Sequence, residues 1–177
     1  MPSQYSNKKY VTTSDDLKRI IANCPICYKI TMNAALILPI HQLPKILLPK
    51  TKQTKFFLIV HIASNKIGHW IALSVYLNDS QCIVIDPANE YKKTNEIVNY
   101  IRKFCINNKL TLIDYGTKMQ TNGSNNCGQL CLAFLGKMCT SNFNTMINLR
   151  TIVKSYSVEF NEHHLTIFTQ QHYNVSF

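Results

Sequence analysis

The chain has 177 residues, enough to close one core, and its 46% apolar against 16% charged residues exclude a disordered tail. Its longest apolar run, residues 56–63, is strand-sized and falls well short of the ~20 residues that span a bilayer. The opening stretch MPSQYSNKKY has no apolar h-region, so a non-secreted protein without a membrane anchor is expected. Lys plus Arg number 19 against 9 Asp plus Glu; the net charge of +10 leaves a polyanion such as nucleic acid open as a partner.

In chain order, Ser14-Asp15-Asp16 ahead of Leu17, Ile20 and Ile21 reads as an N-cap, an acidic first turn and the apolar face of a helix. Residues 36–50 carry Pro39, Pro44 and Pro49 and read as an irregular connector. Three β-rich runs follow at 56–63, 70–77 and 82–86, and Asn78-Asp79-Ser80 predicts a hairpin between the last two. Residues 94–107 set Ile97, Ile101, Phe104 and Cys105 at helical spacing behind Thr94 as cap. A short strand is expected at 110–115, ending at Gly116. A strongly apolar helix is expected at 127–139 and a third helix at 146–153, while the last twenty residues are ambiguous. No repeat or linker divides the chain, so 1–177 reads as a single domain. The order of elements predicts an α+β fold, with a small central, mostly antiparallel sheet flanked by helices.

Seven cysteines, an odd number, fit a reducing compartment and free thiols. Cys24-Pro25-Ile26-Cys27 has a metal-like spacing, but a structural zinc site wants four ligands, usually as two close pairs. No second CxxC or HxxxH exists, so no metal is expected. Cys24, Cys82, Cys105 and Cys139 read as small buried hydrophobes.

The chemistry concentrates between Gln120 and Gly128. A polar loop, Gln-Thr-Asn-Gly-Ser-Asn-Asn, runs into Cys127 at the start of the apolar helix. A thiol there feels the positive end of the helix dipole, and a basic neighbour can bring its pKa from ~8.5 into the ~3.5–7.5 range. Its own N–H and the Gln120 side-chain amide would form an oxyanion hole, and Gly128 would let a substrate backbone approach. A nucleophile needs a base. His69, on a strand lip beside Trp70, can be oriented by Asp86 at the end of the next strand, with Trp70 walling the site. A plain hairpin leaves Asp86 about three residues (~10 Å) off His69, so a bulge, splay or bent rim is expected between them. His61 reads as a core or sheet-face residue. His163 or His164 is the rival base, with no partner residue following either; Glu162 is adjacent in sequence and unsuited to face the same nitrogen.

The order His69-Trp70, Asp86, Gln120 and Cys127-Gly128 resembles the adenain-like (adenovirus-type) viral cysteine proteases of the ubiquitin-like-protease clan. The seven-residue step from Gln120 to Cys127, and Cys131 four residues later, match that family over about residues 12–140. The resemblance implies a papain-like core with the permuted order His-Asp-Gln-Cys, and cleavage of viral capsid and core precursors during virion maturation. It implies location in the virion and infected host cell of a virophage or Polinton-type source. No cofactor is required on this reading; double-stranded DNA or a viral peptide would serve as activator, and a monomer is expected. The family's activating peptide attaches to a cysteine between the acid and the glutamine. Here Cys105 lies four positions out of register, and Lys109 stands at the expected place. SUMO-specific proteases share the layout but carry Asp before the cysteine, where this chain has Asn126. Deconjugation of ubiquitin-like modifiers is therefore the alternative, and a non-enzymatic basic nucleic-acid-binding module the second alternative.

Overall fold

The computed structural model describes residues 13–31, 36–63, 68–140 and 157–176; the helix expected at 146–153 lies outside them. Helix α1 (Ser14–Ala22) is capped by Thr13, one residue earlier than expected. Thr13 Oγ1 accepts from the Asp16 N–H at 3.2 Å while Asp16 Oδ2 accepts from the Thr13 N–H at 3.0 Å, a reciprocal box that Asp16 can close only with the residue three before it. Helix α2 (Pro25–Thr31) starts on a proline, whose missing N–H costs nothing in a first turn. The sequence reading treated this stretch only as ligand spacing and missed the helix. The connector is only partly irregular, since it contains strand β1 (Ile37–Pro39) and a 3₁₀ turn at Ile40–Lys45.

Strands β2 (Lys55–Ile62), β3 (His69–Tyr76), β4 (Gln81–Ile85) and β5 (Thr111–Asp114) each fall within one residue of their expected bounds. Helices α3 (Asn95–Asn107), α4 (Cys127–Thr140) and α5 (Val158–Tyr173) complete the described elements. The sheet runs β1-β2-β3-β4-β5. Its two long central pairings are antiparallel and its two short outer ones parallel, so most paired positions are antiparallel, as expected. β1 hides in the stretch read as connector, whereas β5 was expected as a strand; only the parallel direction of these two short strands was not legible. The α+β architecture itself is as expected.

Side-chain alternation sorts the core into two layers. Phe57, Ile59, Trp70, Ala72 and Ile83 face a layer that includes α1 and α4. Phe56, Leu58, Ile71, Leu73 and Val84 face α3 and the 3₁₀ turn. Both faces are covered, so β2 and β3 are apolar almost throughout. Burying each Leu, Ile or Phe contributes about 1.5–3 kcal/mol, enough to fix strand register wherever a one-residue slip would swap the faces. No described helix is long and apolar enough to cross a membrane.

Candidate active site

Register decides how His69 and Asp86 meet. β3 and β4 pair Tyr76 with Gln81 and end at Ala72 with Ile85, so Asp86 falls opposite Ile71, two residues from His69. The offset is thus one residue shorter than a plain reading of the turn gives, because Leu77–Ser80 forms a four-residue loop closed by Ser80 in the left-handed region. Residues two apart share a face, and such diagonal neighbours sit about 7–8 Å apart, within reach of an imidazole. No bulge is needed. His69 Nε2 lies 2.6 Å from Asp86 Oδ1.

Asp86 is itself held from behind. Its carboxylate accepts the N–H of Ala88 at 2.9 Å and those of Glu90 and Tyr91 at 2.7 Å each, in the turn that Pro87 starts. Burial pushes this carboxyl up, but His69 and the Glu90 and Tyr91 amides outweigh it and hold it below the ordinary carboxylate value. The Asp86 side chain is 1% exposed and that of His69 24%, so the acid is interior and the ring reaches the surface. Burial pulls the His69 pKa down, but Asp86 and then Cys127 raise it further, to about 9.

Cys127 comes from the other layer. It is the first residue of α4, so its backbone N–H is one of those no helix carbonyl can satisfy. The β3–β4 ladder stops at Ala72, and beyond that point the Trp70 N–H donates to Cys127 Sγ at 3.5 Å. With Nε2 on Asp86, the other ring nitrogen of His69 is the one left for the sulfur. His69, Asp86, Gln120, Cys127 and Trp70 all line one cleft of about 650 Å³. Gly128 does not line it: one step along the helix turns it about 100° into the core, where it is buried.

Gln120 is tied to the sheet side through Pro87, whose carbonyl accepts the N–H of Met119 at 2.8 Å and of Gln120 at 2.9 Å. Its side-chain Nε2 donates to the Ser124 carbonyl at 2.6 Å, which fixes the amide orientation and leaves one N–H of that group for a ligand. The loop is also pinned from α5. The buried Glu162 carboxylate accepts from the Thr121 N–H at 3.0 Å, the Thr121 hydroxyl at 2.5 Å, the Ser124 hydroxyl and Asn126 Nδ2 at 3.1 Å. The sequence reading saw Glu162 only as a poor partner for His163 and His164. It is instead the anchor of the segment that carries Gln120 to Cys127. The signal that could have found it is an acid in the tail set against a loop rich in donors, Thr121, Ser124 and Asn126.

The other histidines separate cleanly. His163 and His164 are exposed on α5, where His164 stacks on Phe160, and neither lines the cleft. His61 is not a core residue: it is half-buried, lines the cleft and packs against Trp70 at 4.7 Å between ring centroids. Burial, then the neighbouring His69, lower its pKa. A Cβ on Gly68 would sit 1.7 Å from His61 Nε2, so glycine at 68 is what lets this ring close over the strand entry. Cys105 is buried against Cys82 on the opposite side of the sheet, and Cys131 is buried one turn behind Cys127. Cys24 and Cys139, expected to be buried, are only partly so.

No family model matches the chain, and no curated protein matches it. Among solved structures, the Chlamydia trachomatis effector protein ChlaDUB1 is similar at a TM-score of 0.54 and 14% identity, over 98% of this chain and 94% of that one. A second structure of ChlaDub1 aligns at a TM-score of 0.48 with 16% identity, over 98% and 96%, and the likeness is read from the first alone. That likeness is one of fold, and the fold here is a five-stranded sheet flanked by helices.

Proposed function

We propose that the chain is a cysteine protease in which Cys127 is the nucleophile, His69 the general base and acid, Asp86 the group that orients the ring, and Gln120 with the Cys127 N–H the oxyanion donors. The observation that carries this reading is the 2.6 Å His69–Asp86 contact on the cleft that Cys127 enters from a helix start. Cys127 Sγ bonds to the scissile carbonyl carbon as His69 takes the thiol proton. The C–N bond then breaks and the leaving amine receives that proton. Water, deprotonated by His69, opens the thioester and frees the thiol. Asp86 keeps Nε2 occupied, so the ring turns Nδ1 to the sulfur in every step. The Trp70 side chain forms part of the wall.

Two substrate classes follow from different observations. The seven-residue step from Gln120 to Cys127, and Asn126 in place of an acid, favour capsid and core precursors, the adenain-type reading. The fold likeness to ChlaDUB1 favours deconjugation of ubiquitin-like modifiers. The +10 charge supports DNA as a partner of the first class, with affinity falling about 10³–10⁵ between 50 and 200 mM salt if six to ten phosphates are contacted. Incubation with electrophilic ubiquitin, NEDD8 and SUMO C-terminal probes, beside peptides with small-residue cleavage sites, separates the two. Labelling by a modifier probe assigns deconjugation; turnover of peptides alone assigns precursor cleavage. Cys127→Ala must abolish either, and persistence of cleavage in that variant refutes the protease reading.

A further inference from the structure

At the far end of α4 from Cys127, a second group of sulfurs converges. Cys24 precedes α2, Cys27 lies in its first turn, and His172 lies in the last turn of α5. Their ligating atoms lie within 4.8 Å of one another. Cys139, near the C-terminus of α4, neighbours Cys27 but stands outside that tight group. We propose that Cys24, Cys27 and His172 form a structural Zn²⁺ site, with the neighbouring Cys139 thiol drawn in as fourth ligand when the ion binds, so that the ion clamps α2, α4 and α5 together.

The two sulfur–nitrogen distances are those a tetrahedral ion requires. With Zn–S about 2.3 Å and Zn–N about 2.0–2.1 Å, tetrahedral angles put sulfur and nitrogen about 3.6 Å apart. His172 Nε2 lies 3.7 Å from Cys24 Sγ and 3.6 Å from Cys27 Sγ. One imidazole nitrogen has a single in-plane site and makes one good hydrogen bond, so a near-equal approach to two sulfurs is poorly explained by thiol hydrogen bonding. An ion between them explains it. The donor set, three thiolates and one imidazole, is a soft one suited to zinc.

The surroundings hold the ligands in place. His172 stacks on Phe168 at 5.4 Å and meets the edge of Tyr173 at 4.6 Å, so its ring plane is set by its own helix. α4 makes room for it at Gly136: a Cβ there would come within 2.9 Å of both the His172 and Phe168 rings. A glycine inside a helix costs about 1 kcal/mol against alanine, and this one is explained by the approach of the ring it admits. The spacing missed this site because the CxxC finds its remaining ligands more than 100 residues downstream, on two different helices.

The site is about 18 Å along α4 from Cys127, so it stands or falls independently of the protease reading. The test is metal analysis of the untagged full chain, purified under reducing conditions without chelator. About one zinc per chain is expected, replaceable by Co²⁺ with the intense visible bands of a tetrahedral thiolate complex. Cys139→Ser and His172→Ala should lose the metal, whereas Cys131→Ser should keep it. A thiol-directed mercurial should release the zinc from wild type and lower its Tm, a readout that needs no variant to fold. The proposal is overturned by wild-type protein that neither contains zinc nor gains Tm when zinc is added, by a Cys24–Cys27 disulfide in its place, or by full zinc retention in Cys139→Ser.

Discussion

The two sides of the cleft are built differently. His69 opens β3 and Asp86 directly follows β4, so register sets them side by side and the Ala88, Glu90 and Tyr91 amides hold the carboxylate for the 2.6 Å contact. Gln120 and Cys127 close a loop with no ladder of its own, held by the Pro87 carbonyl on one side and the Glu162 carboxylate on the other. The sheet side is rigid because its geometry repeats every two residues and both faces are packed. The loop side is rigid only while a residue from a helix some forty positions later supplies its acceptors. Damage to the sheet side should therefore change the chemistry, whereas damage to the loop anchor should change chemistry and stability together.

Breaking the sheet side should have the larger effect. His69→Ala should lower kcat by about 10²–10⁴ with little change in fold, measured on whichever substrate the probes identify. Asp86→Asn should lower kcat over a similar range and also move the alkaline limb of the stability–pH profile. His69 is raised to about 9 in the fold against 6.5 ordinarily, so the stability its pairing contributes is fully present below about pH 6.5 and is lost as pH rises through about 9. Removing the Asp86 charge should shift that loss to lower pH. An unchanged alkaline limb in Asp86→Asn would detach the ring from the acid.

On the loop side, Gln120→Ala should cost about 10²–10³ in kcat, the loss of one oxyanion donor. Glu162→Ala should cost less in rate but lower stability by about 2–3 kcal/mol in urea or thermal unfolding, because it strands four donors at once. Glu162→Gln keeps acceptor oxygen and should recover part of both. Equal loss of stability in Gln120→Ala and Glu162→Ala would erase the distinction between donor and anchor. The smallest effect is expected at Gly68→Ala, which must displace the His61 ring and should change KM more than kcat.

The contrast also explains what the sequence could reveal. The bounds of β2 to β5 were readable because short apolar runs ended by turn residues are local signals, and the structure brings His69, Asp86, Gln120 and Cys127, singled out by their spacing, to one cleft. The exact offset of Asp86 was not, since one extra residue in the Leu77–Ser80 turn changes it. Glu162 was hidden because the buried face of α5 is largely polar: Asn161, Glu162 and Thr169 lie inside with Leu165 and Tyr173. Thr169 satisfies itself by donating to the Gln129 carbonyl at 2.9 Å. A helix that docks through hydrogen bonds leaves no apolar stripe to read, so its 16 residues looked patternless. Cys24 and Cys139 were misjudged for a related reason: their partners are distant in sequence and set by helix docking.

The most direct test of the central claim is to map, by intact mass and peptide sequencing, where a substrate-like electrophile attaches and how fast. The account predicts a single adduct on Cys127, formed about 10²-fold or more slowly in His69→Ala. An adduct on another of the seven cysteines, or an undiminished rate on Cys127 without the imidazole, would contradict it.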